Sequence, residues 1–496
     1  MAQTIVLGAD PLTIEDVARV ARENAQVRIS GGARTRVANG RARLEDLIAR
    51  GERIYGVNTG VGGNIGISLA PEQMELLQHN LLKHLGCATG EPLPGDVVRA
   101  ATLLRAATFA TGASAVRNEL LDALAALLNR GVTPVVPRYG SVGASGDLMP
   151  SAYIARVLVG AGEAEFGGRR LPAEEALAAA GLRPIRFAPK EGLALINGTT
   201  VMTAVASLLW IDVFYVLRAL LAGVALSVEA MRAPTLPFDP WIHERKGHPG
   251  QIAVAAHMRA LLEASGFTQA STGQSCYSLR CVPQGLGPAW EALEDSRPVI
   301  EREINSANDN PLIDPDTGEL YKGGNFYGGH IARMLDTWKL DFAVMATWAN
   351  ALMAVLVDDR FSAGLPANLT PQPGVNSGFK GMQLSMTSLT CAIRQMAGPS
   401  SIHSLPTEQY NEDVVSLGMH SAVTAMDSLA CLRQETAMLL LASSQAVDLR
   451  GDAARLGRGT ARAYQAVRQV ARFNDQDRAM EHEVAAVAAK VAAGEF

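Results

Sequence analysis

Apolar residues recur at three- and four-residue steps along most of this chain, the spacing that gathers them on one face of an α-helix. Thr13, three residues ahead of Asp16, predicts an N-cap with an acidic third residue and a helix over 14–25. The same periodicity predicts helices over 72–85, 95–111 and 117–130, then longer ones over 200–231, 330–358, 380–396 and 414–445. Several of the long segments are apolar on most faces, and such helices are stable in water only when they bury one another. The expected fold is therefore mainly α, with a long central helix bundle. Strand signals are short, and 27–30 and 163–166 have the composition of small hairpins. Near Lys190 a loop-rich, glycine-dense stretch gives way to long helices. This divides the chain into an N-terminal part, 1–190, and a bundle, 191–496, packed together as one unit.

Composition narrows the function classes. With 496 residues, 48% of them hydrophobic and 19% charged, the chain can bury a large interior. Its 44 basic and 49 acidic residues are dispersed, giving a net charge of −5 and no basic block for nucleic acid. The most apolar stretch, 201–231, carries Asp212, Arg218 and Glu229. A bilayer span needs roughly 20 nearly uncharged residues, so this reads as a buried core helix. The N-terminus has no basic segment followed by a long apolar one, and the five cysteines form no CxxC pair. Reduced thiols in a cytoplasmic protein are the expectation.

Two loops interrupt the helical pattern: Tyr55-Gly-Val-Asn-Thr-Gly-Val-Gly-Gly-Asn-Ile-Gly66 and Tyr139-Gly-Ser-Val-Gly-Ala-Ser-Gly-Asp-Leu-Met-Pro150. The first is no dinucleotide fingerprint, because Ile65 stands where the last glycine belongs. The second is no nucleophile elbow, because Asp147 replaces its final glycine. His243 and His248 have the spacing of half a zinc site, but no cysteine pair precedes them, so no metal is expected. Ala144-Ser145-Gly146 has a chemistry of its own. In a tight turn the Gly146 nitrogen can attack the Ala144 carbonyl. Loss of two waters, one involving the Ser145 hydroxyl, then leaves an exocyclic methylidene on a five-membered ring, a 4-methylidene-imidazol-5-one (MIO). Most Ala-Ser-Gly tripeptides are ordinary loops, and three residues alone decide nothing.

The tripeptide has company. Gly140-Ser-Val-Gly-Ala-Ser-Gly-Asp-Leu148 and Tyr55-Gly-Val-Asn-Thr-Gly60 resemble signatures of the MIO-dependent histidine, phenylalanine and tyrosine ammonia-lyases and the related aminomutases. Ala194-Leu-Ile-Asn-Gly-Thr199, Tyr277-Ser-Leu-Arg-Cys-Val-Pro-Gln284, Asn308-Asp-Asn-Pro-Leu312, Gly323-Gly-Asn-Phe326 and Asp413-Val-Val-Ser-Leu-Gly418 resemble further family blocks, in the family's order and across almost the whole chain. The resemblance is to the bacterial tyrosine and phenylalanine branch. It implies a homotetramer whose active sites each draw on three subunits, a small aromatic amino acid as substrate, MIO as the electrophile, and neither an external cofactor nor a metal. No membrane partner is expected.

The resemblance also assigns roles. Ser145 supplies the methylidene, attacked by the substrate's amine or by its ring. Tyr55 matches the base for the β-proton, and positive helix ends and nearby cations would lower its pKa from about 10. Arg280 matches the clamp on the substrate carboxylate, Asn197 a hydrogen-bond partner of the MIO or that carboxylate, and Tyr277 a support of the MIO. Gln274, Asn325 and Phe326 match polar and aromatic walls. His84 and Leu85 occupy the pair that contacts the substrate ring, where His-Leu resembles tyrosine lyases. An imidazole there can hydrogen-bond a phenolic hydroxyl. Glu412 departs from that branch, since histidine lyases carry Glu at this place and the others usually Gln. Tyrosine therefore leads, with phenylalanine and histidine open. A 2,3-aminomutase, sharing the same residues, is the alternative reaction.

Overall fold

Thr13 Oγ1 accepts the Asp16 N–H at 3.2 Å and Asp16 accepts the Thr13 N–H at 3.0 Å, the reciprocal cap expected from the sequence. The helix it opens, α1, ends at Arg22 rather than 25. In a computed structural model of the protein, which describes residues 4–267 and 274–496, α1 (Ile14–Arg22) is followed by α2 (Gly31–Ala49), α3 (Pro71–His84), α4 (Gly95–Ala110), α5 (Asn118–Arg130), α6 (Leu148–Leu158), α7 (Ala173–Ala179) and α8 (Glu191–Ile196). Then come α9 (Thr200–Ala230), α10 (Pro240–Lys246), α11 (Pro249–Leu261), α12 (Tyr277–Arg280), α13 (Val282–Ile304), α14 (Gly329–Val357), α15 (Lys380–Met396), α16 (Gly418–Arg450), α17 (Arg458–Arg468) and α18 (Glu481–Ala492). The fold is mainly α with long helices, as the periodicity requires.

Among the expected long helices only α16 differs by more than a residue or two: read as 414–445, it spans Gly418–Arg450. Expected at 414, it begins at Gly418, because Ser416 and Leu417 are occupied elsewhere: Ser416 Oγ donates to the Gly143 carbonyl at 3.2 Å and Leu417 N–H to the Val142 carbonyl at 3.0 Å. Helix α13 escaped the periodicity because Pro283, Gly285, Gly287, Pro288 and Pro298 dilute it. Two of these glycines answer to packing. A Cβ on Gly285 would lie 2.1 Å from the Trp348 ring, and one on Gly287 2.7 Å from the Gln251 backbone. Segment 163–166 forms the expected hairpin, pairing with Arg169–Pro172 through a two-residue Gly167-Gly168 turn with both φ positive. Segment 27–30 does not. Its strand, Val27–Ile29, pairs in parallel with Ile5–Leu7, so the partner is a separate segment of chain rather than a hairpin arm.

The chain forms two compact units built from alternating stretches: Met1–Leu208, Arg297–Leu335 and Pro399–Val423 in the first, and Leu209–Ser296, Asp336–Gly398 and Thr424–Phe496 in the second. The sequence reading divides the chain once, near Lys190. The chain passes between these units five times; four changeovers fall inside α9, α13, α14 and α16, and the fifth, after Gly398, lies between α15 and α16.

In the first unit α1 packs on α4, α4 on α5, and α8 on both α3 and α6. Lys190, just ahead of α8, and Asp309 form an ion pair at 2.6 Å with neither side chain exposed. Removing one partner of such a pair leaves the other buried and uncompensated. Lys190→Met is expected to cost about 3–5 kcal/mol in urea unfolding, with Asp309→Asn recovering part of the loss in the double variant.

In the second unit α9 and α14 hold most of their length. By length and composition α9 and α14 are apolar enough to cross a bilayer, but 72% of the most apolar window of α9 is buried inside the fold. Its charges are accommodated there. Arg433 lies 3.5 Å from Asp212, Arg218 stacks on Phe214, and Glu229 accepts the Gly457 N–H at 2.7 Å. His243 is buried, one ring nitrogen 2.9 Å from the Pro237 carbonyl and the other 2.8 Å from the Gln251 amide, so neither is free for a metal. Among the described residues no cluster of three or more His, Cys, Asp or Glu is placed to hold one.

Candidate functional site

The tripeptide occupies the corner of a tight turn in the first unit. Gly143 and Gly146 form an antiparallel bridge, leaving Ala144 and Ser145, both half-buried, as the central residues. Gly146, at φ 74°, is pressed against the chain at Gly198: a Cβ there would lie 2.1 Å from the Gly198 carbonyl oxygen and 2.9 Å from that of Phe326. No other residue fits. Gly198 N–H donates to the Ser145 carbonyl at 3.0 Å and Asp147 N–H to the Gly198 carbonyl at 2.6 Å. Ser141 Oγ donates to the Gly146 carbonyl at 2.9 Å and accepts the Gly143 N–H at 3.1 Å. With Ser416 and Leu417 on Gly143 and Val142, the turn is gripped from several sides.

Beneath it lies the N-terminus of α9. The buried Asp147 accepts the N–H groups of Val201 at 2.6 Å and Met202 at 2.8 Å. Burial pushes its carboxyl up to about 7 against the pull of those amides and of Arg105. Arg105 is itself buried, which brings its guanidinium down to about 10. It donates to the Asn197 carbonyl at 2.8 Å and to Thr200 Oγ1 at 3.3 Å, fixing the segment on which Gly146 rests. The Asn197 side-chain oxygen is buried without a hydrogen-bond partner.

The Tyr55 loop reaches the same region. Ile54 and Val57, either side of Tyr55 and Gly56, are buried with Leu44, Leu47, Ala115 and Ile313, and Gln78 of α3 donates to the Gly56 carbonyl at 3.0 Å. The Tyr55 hydroxyl accepts the Gly62 N–H at 2.8 Å. Burial, aided by the carboxylates of Glu408 and Glu412, raises the Tyr55 pKa, although the Gly62 amide opposes this. The expectation of a lowered pKa is thereby corrected: the charges facing this phenol within the chain are anions. Glu412 accepts the Ser145 hydroxyl at 3.4 Å, and burial together with Glu408 raises its pKa.

Residues 12–469 match the family model described as aromatic amino acid lyase. The chain belongs to that family. It is 41% identical over 99% of its length to a histidine ammonia-lyase of Anaeromyxobacter sp. (strain K), covering 99% of that protein. Among solved structures, the tyrosine aminomutase from Streptomyces globisporus matches with a TM-score of 0.95 at 34% identity, over 99% of this chain and 97% of that one. The Pantoea agglomerans phenylalanine aminomutase matches with a TM-score of 0.95 at 32% identity, over 99% of both chains. The protein is a carbon–nitrogen lyase of the aromatic amino acid lyase family.

The remaining candidates of this family member are spread more widely. His84 ends α3, exposed, with Nδ1 3.2 Å from the Asn80 carbonyl, while Leu85 is buried. Asn325 is exposed and donates to the Ala307 carbonyl at 3.1 Å. Phe326 meets the turn through its backbone. Gln274, Tyr277 and Arg280 belong to the second unit. There Arg280 stacks 4.7 Å from the centre of the exposed Tyr277 ring, its Nε buried and without a hydrogen bond, and Gln274 lines a pocket of about 380 Å³ with Arg232 and Arg360. The sequence reading did not single out Arg105, Asp147, Glu408 or Ser416. Asp147 and Ser416 lie inside quoted blocks, Glu408 stands four residues before the quoted Glu412, and Arg105 stands out as a cation within the apolar α4.

Proposed function

We propose that this lyase removes ammonia from an aromatic L-amino acid, with tyrosine preferred and trans-p-coumarate as product. The observation that carries the elimination is Glu412, which accepts the Ser145 hydroxyl at the turn and whose charge bears on Tyr55; the tyrosine preference rests on His84. The turn fits an internal MIO: it is tight, admits only glycine at 146, and has the unpartnered Asn197 oxygen in the segment that supports it. Formed from these residues, the MIO supplies an electrophile that holds the substrate, in the sense of covalent catalysis.

The chain's own side chains carry the rest. Tyr55, as phenolate, takes the β-proton, its oxygen held by the Gly62 N–H. Glu412 lies beside the Ser145 hydroxyl, where a carboxylate favours the substrate's ammonium or takes its proton. Arg280, whose planar fork suits a carboxylate, holds that of the substrate, and Tyr277 lies against it, in the homotetramer with shared sites that the resemblance implies.

Substrate choice rests on His84. A carbonyl only accepts, so the contact with Asn80 assigns the proton to Nδ1 and leaves Nε2 as an acceptor for a phenolic O–H. Phenylalanine would leave that acceptor unpaired. His84→Phe is expected to shift the ratio of kcat/KM for tyrosine over phenylalanine by about 10²-fold toward phenylalanine, read as coumarate against cinnamate absorbance. A ratio that stays put would remove His84 from specificity.

Glu412 supports a second reading, histidine as substrate, because a carboxylate beside Ser145 can also pair an imidazolium. Urocanate forming faster than coumarate would establish that reading instead. β-Tyrosine among the products would identify an aminomutase.

A further inference from the structure

The glycine loop is held by a side chain to which the proposed chemistry gives no task. Both carboxylate oxygens of Glu408 lie 3.0 Å from the Gly63 nitrogen and accept its N–H. The same carboxylate packs so closely on Gly62 that a Cβ there would lie 2.6 Å from Oε1. The Gly62 N–H is the group that donates to the Tyr55 hydroxyl, so consecutive amides of one short segment bind the phenol and the carboxylate.

Glu408 sits on an unusual turn. Glu408, Gln409 and Tyr410 have φ of 47°, 55° and 64°, a left-handed run that residues with side chains adopt only where surrounding contacts fix it. Thr407 N–H donates to the Glu412 carbonyl at 2.9 Å, Glu412 N–H returns a bond at 3.4 Å, and Asn411 N–H donates to the Glu408 carbonyl at 3.0 Å. The closed turn sends Glu408 to the Tyr55 loop and Glu412 to Ser145. One small element therefore touches both halves of the candidate chemistry.

We propose that Glu408 is a latch, a positioning residue whose carboxylate pins Gly62 and Gly63 and so holds the Tyr55 hydroxyl in register with the tripeptide. The charged and polar groups set against that hydroxyl are Glu408, Glu412 and the Gly62 N–H. Neutralising Glu408 therefore also removes one of the two anions that disfavour the Tyr55 phenolate. The rate consequences rest on the lyase reading above; the mechanical one does not.

The test uses the full-length protein and the variants Glu408→Ala and Glu408→Gln. Arg53, exposed at the foot of the loop and bonded to the Ile65 carbonyl at 2.7 Å, gives trypsin a cleavage point that reports loop opening. Glu408→Ala is expected to be cleaved after Arg53 about tenfold faster and to lose about 10²-fold in kcat/KM, the scale of a misplaced catalytic group. Glu408→Gln keeps an acceptor oxygen, so it should be cleaved at an intermediate rate, with the alkaline rise of its pH–rate profile moved to lower pH. Cleavage of both variants at the wild-type rate would overturn the latch. Faster cleavage with unchanged kcat/KM would overturn its role in positioning Tyr55. A wild-type protein inert toward tyrosine, phenylalanine and histidine would overturn the lyase reading, while the cleavage rates still decide the latch.

Discussion

Ser145→Ala is expected to lower turnover of every aromatic amino acid by at least about 10³-fold while leaving the fold intact. The Ser145 side chain is the only source of the methylidene carbon, so no neighbour can substitute for it. Its structural work is slight: its hydroxyl makes one long bond, to Glu412 at 3.4 Å, and the residue is half-buried. A change in stability of about 0.5 kcal/mol or less follows. Intact mass gives an independent check. The wild-type chain should weigh two water molecules less than its sequence, and Ser145→Ala should carry its full sequence mass without the near-ultraviolet absorbance of the conjugated ring. An unchanged turnover in Ser145→Ala would remove the electrophile, and the elimination chemistry with it. Gly146→Ala approaches the same point by another route, since the methyl group has no room beside the Gly198 carbonyl and the turn that cyclisation needs is lost.

How much of this was legible in the sequence depends on whether a residue acts through its own periodicity or through distant partners. Helices α4, α5, α9, α14 and α15 lie within a residue or two of their expected bounds, because a buried helix writes its packing into its apolar spacing. Helix α13 does not, because its glycines answer to Trp348 and Gln251, far away in the chain. At the site, the glycine motifs located both loops, and the need for a tight turn at 144–146 could be stated from the chemistry of cyclisation alone. The direction of the Tyr55 pKa could not. It depends on Glu408 and Glu412, more than 350 residues further on, and on how deeply the phenol is buried. Arg105 was illegible for a related reason: a cation in an apolar helix announces that something pairs with it, but only the fold identifies the Asn197 carbonyl and Thr200.

Tyr55→Phe tests the corrected electrostatics directly. Removing the hydroxyl is expected to lower kcat by about 10²–10⁴-fold, the range for losing a positioned proton-transfer group. The accompanying loss of stability should be near 1 kcal/mol, since a single hydrogen bond, from Gly62, is removed. The pH dependence is the more specific signature. An ordinary tyrosine titrates near 10, and burial followed by the two carboxylates moves Tyr55 upward from there. At pH 7 the phenolate is then less than about one part in 10³, and its population rises about tenfold for each pH unit until the pKa is reached. If Tyr55 acts as phenolate, kcat/KM should climb with a slope near one from neutral pH to about 10, and the residual activity of Tyr55→Phe should lose that rise. A flat profile in the wild type would mean that partner groups in the assembled enzyme cancel the anions facing Tyr55. An equal rise in both proteins would assign the β-proton to a different base, one that titrates in the same alkaline range.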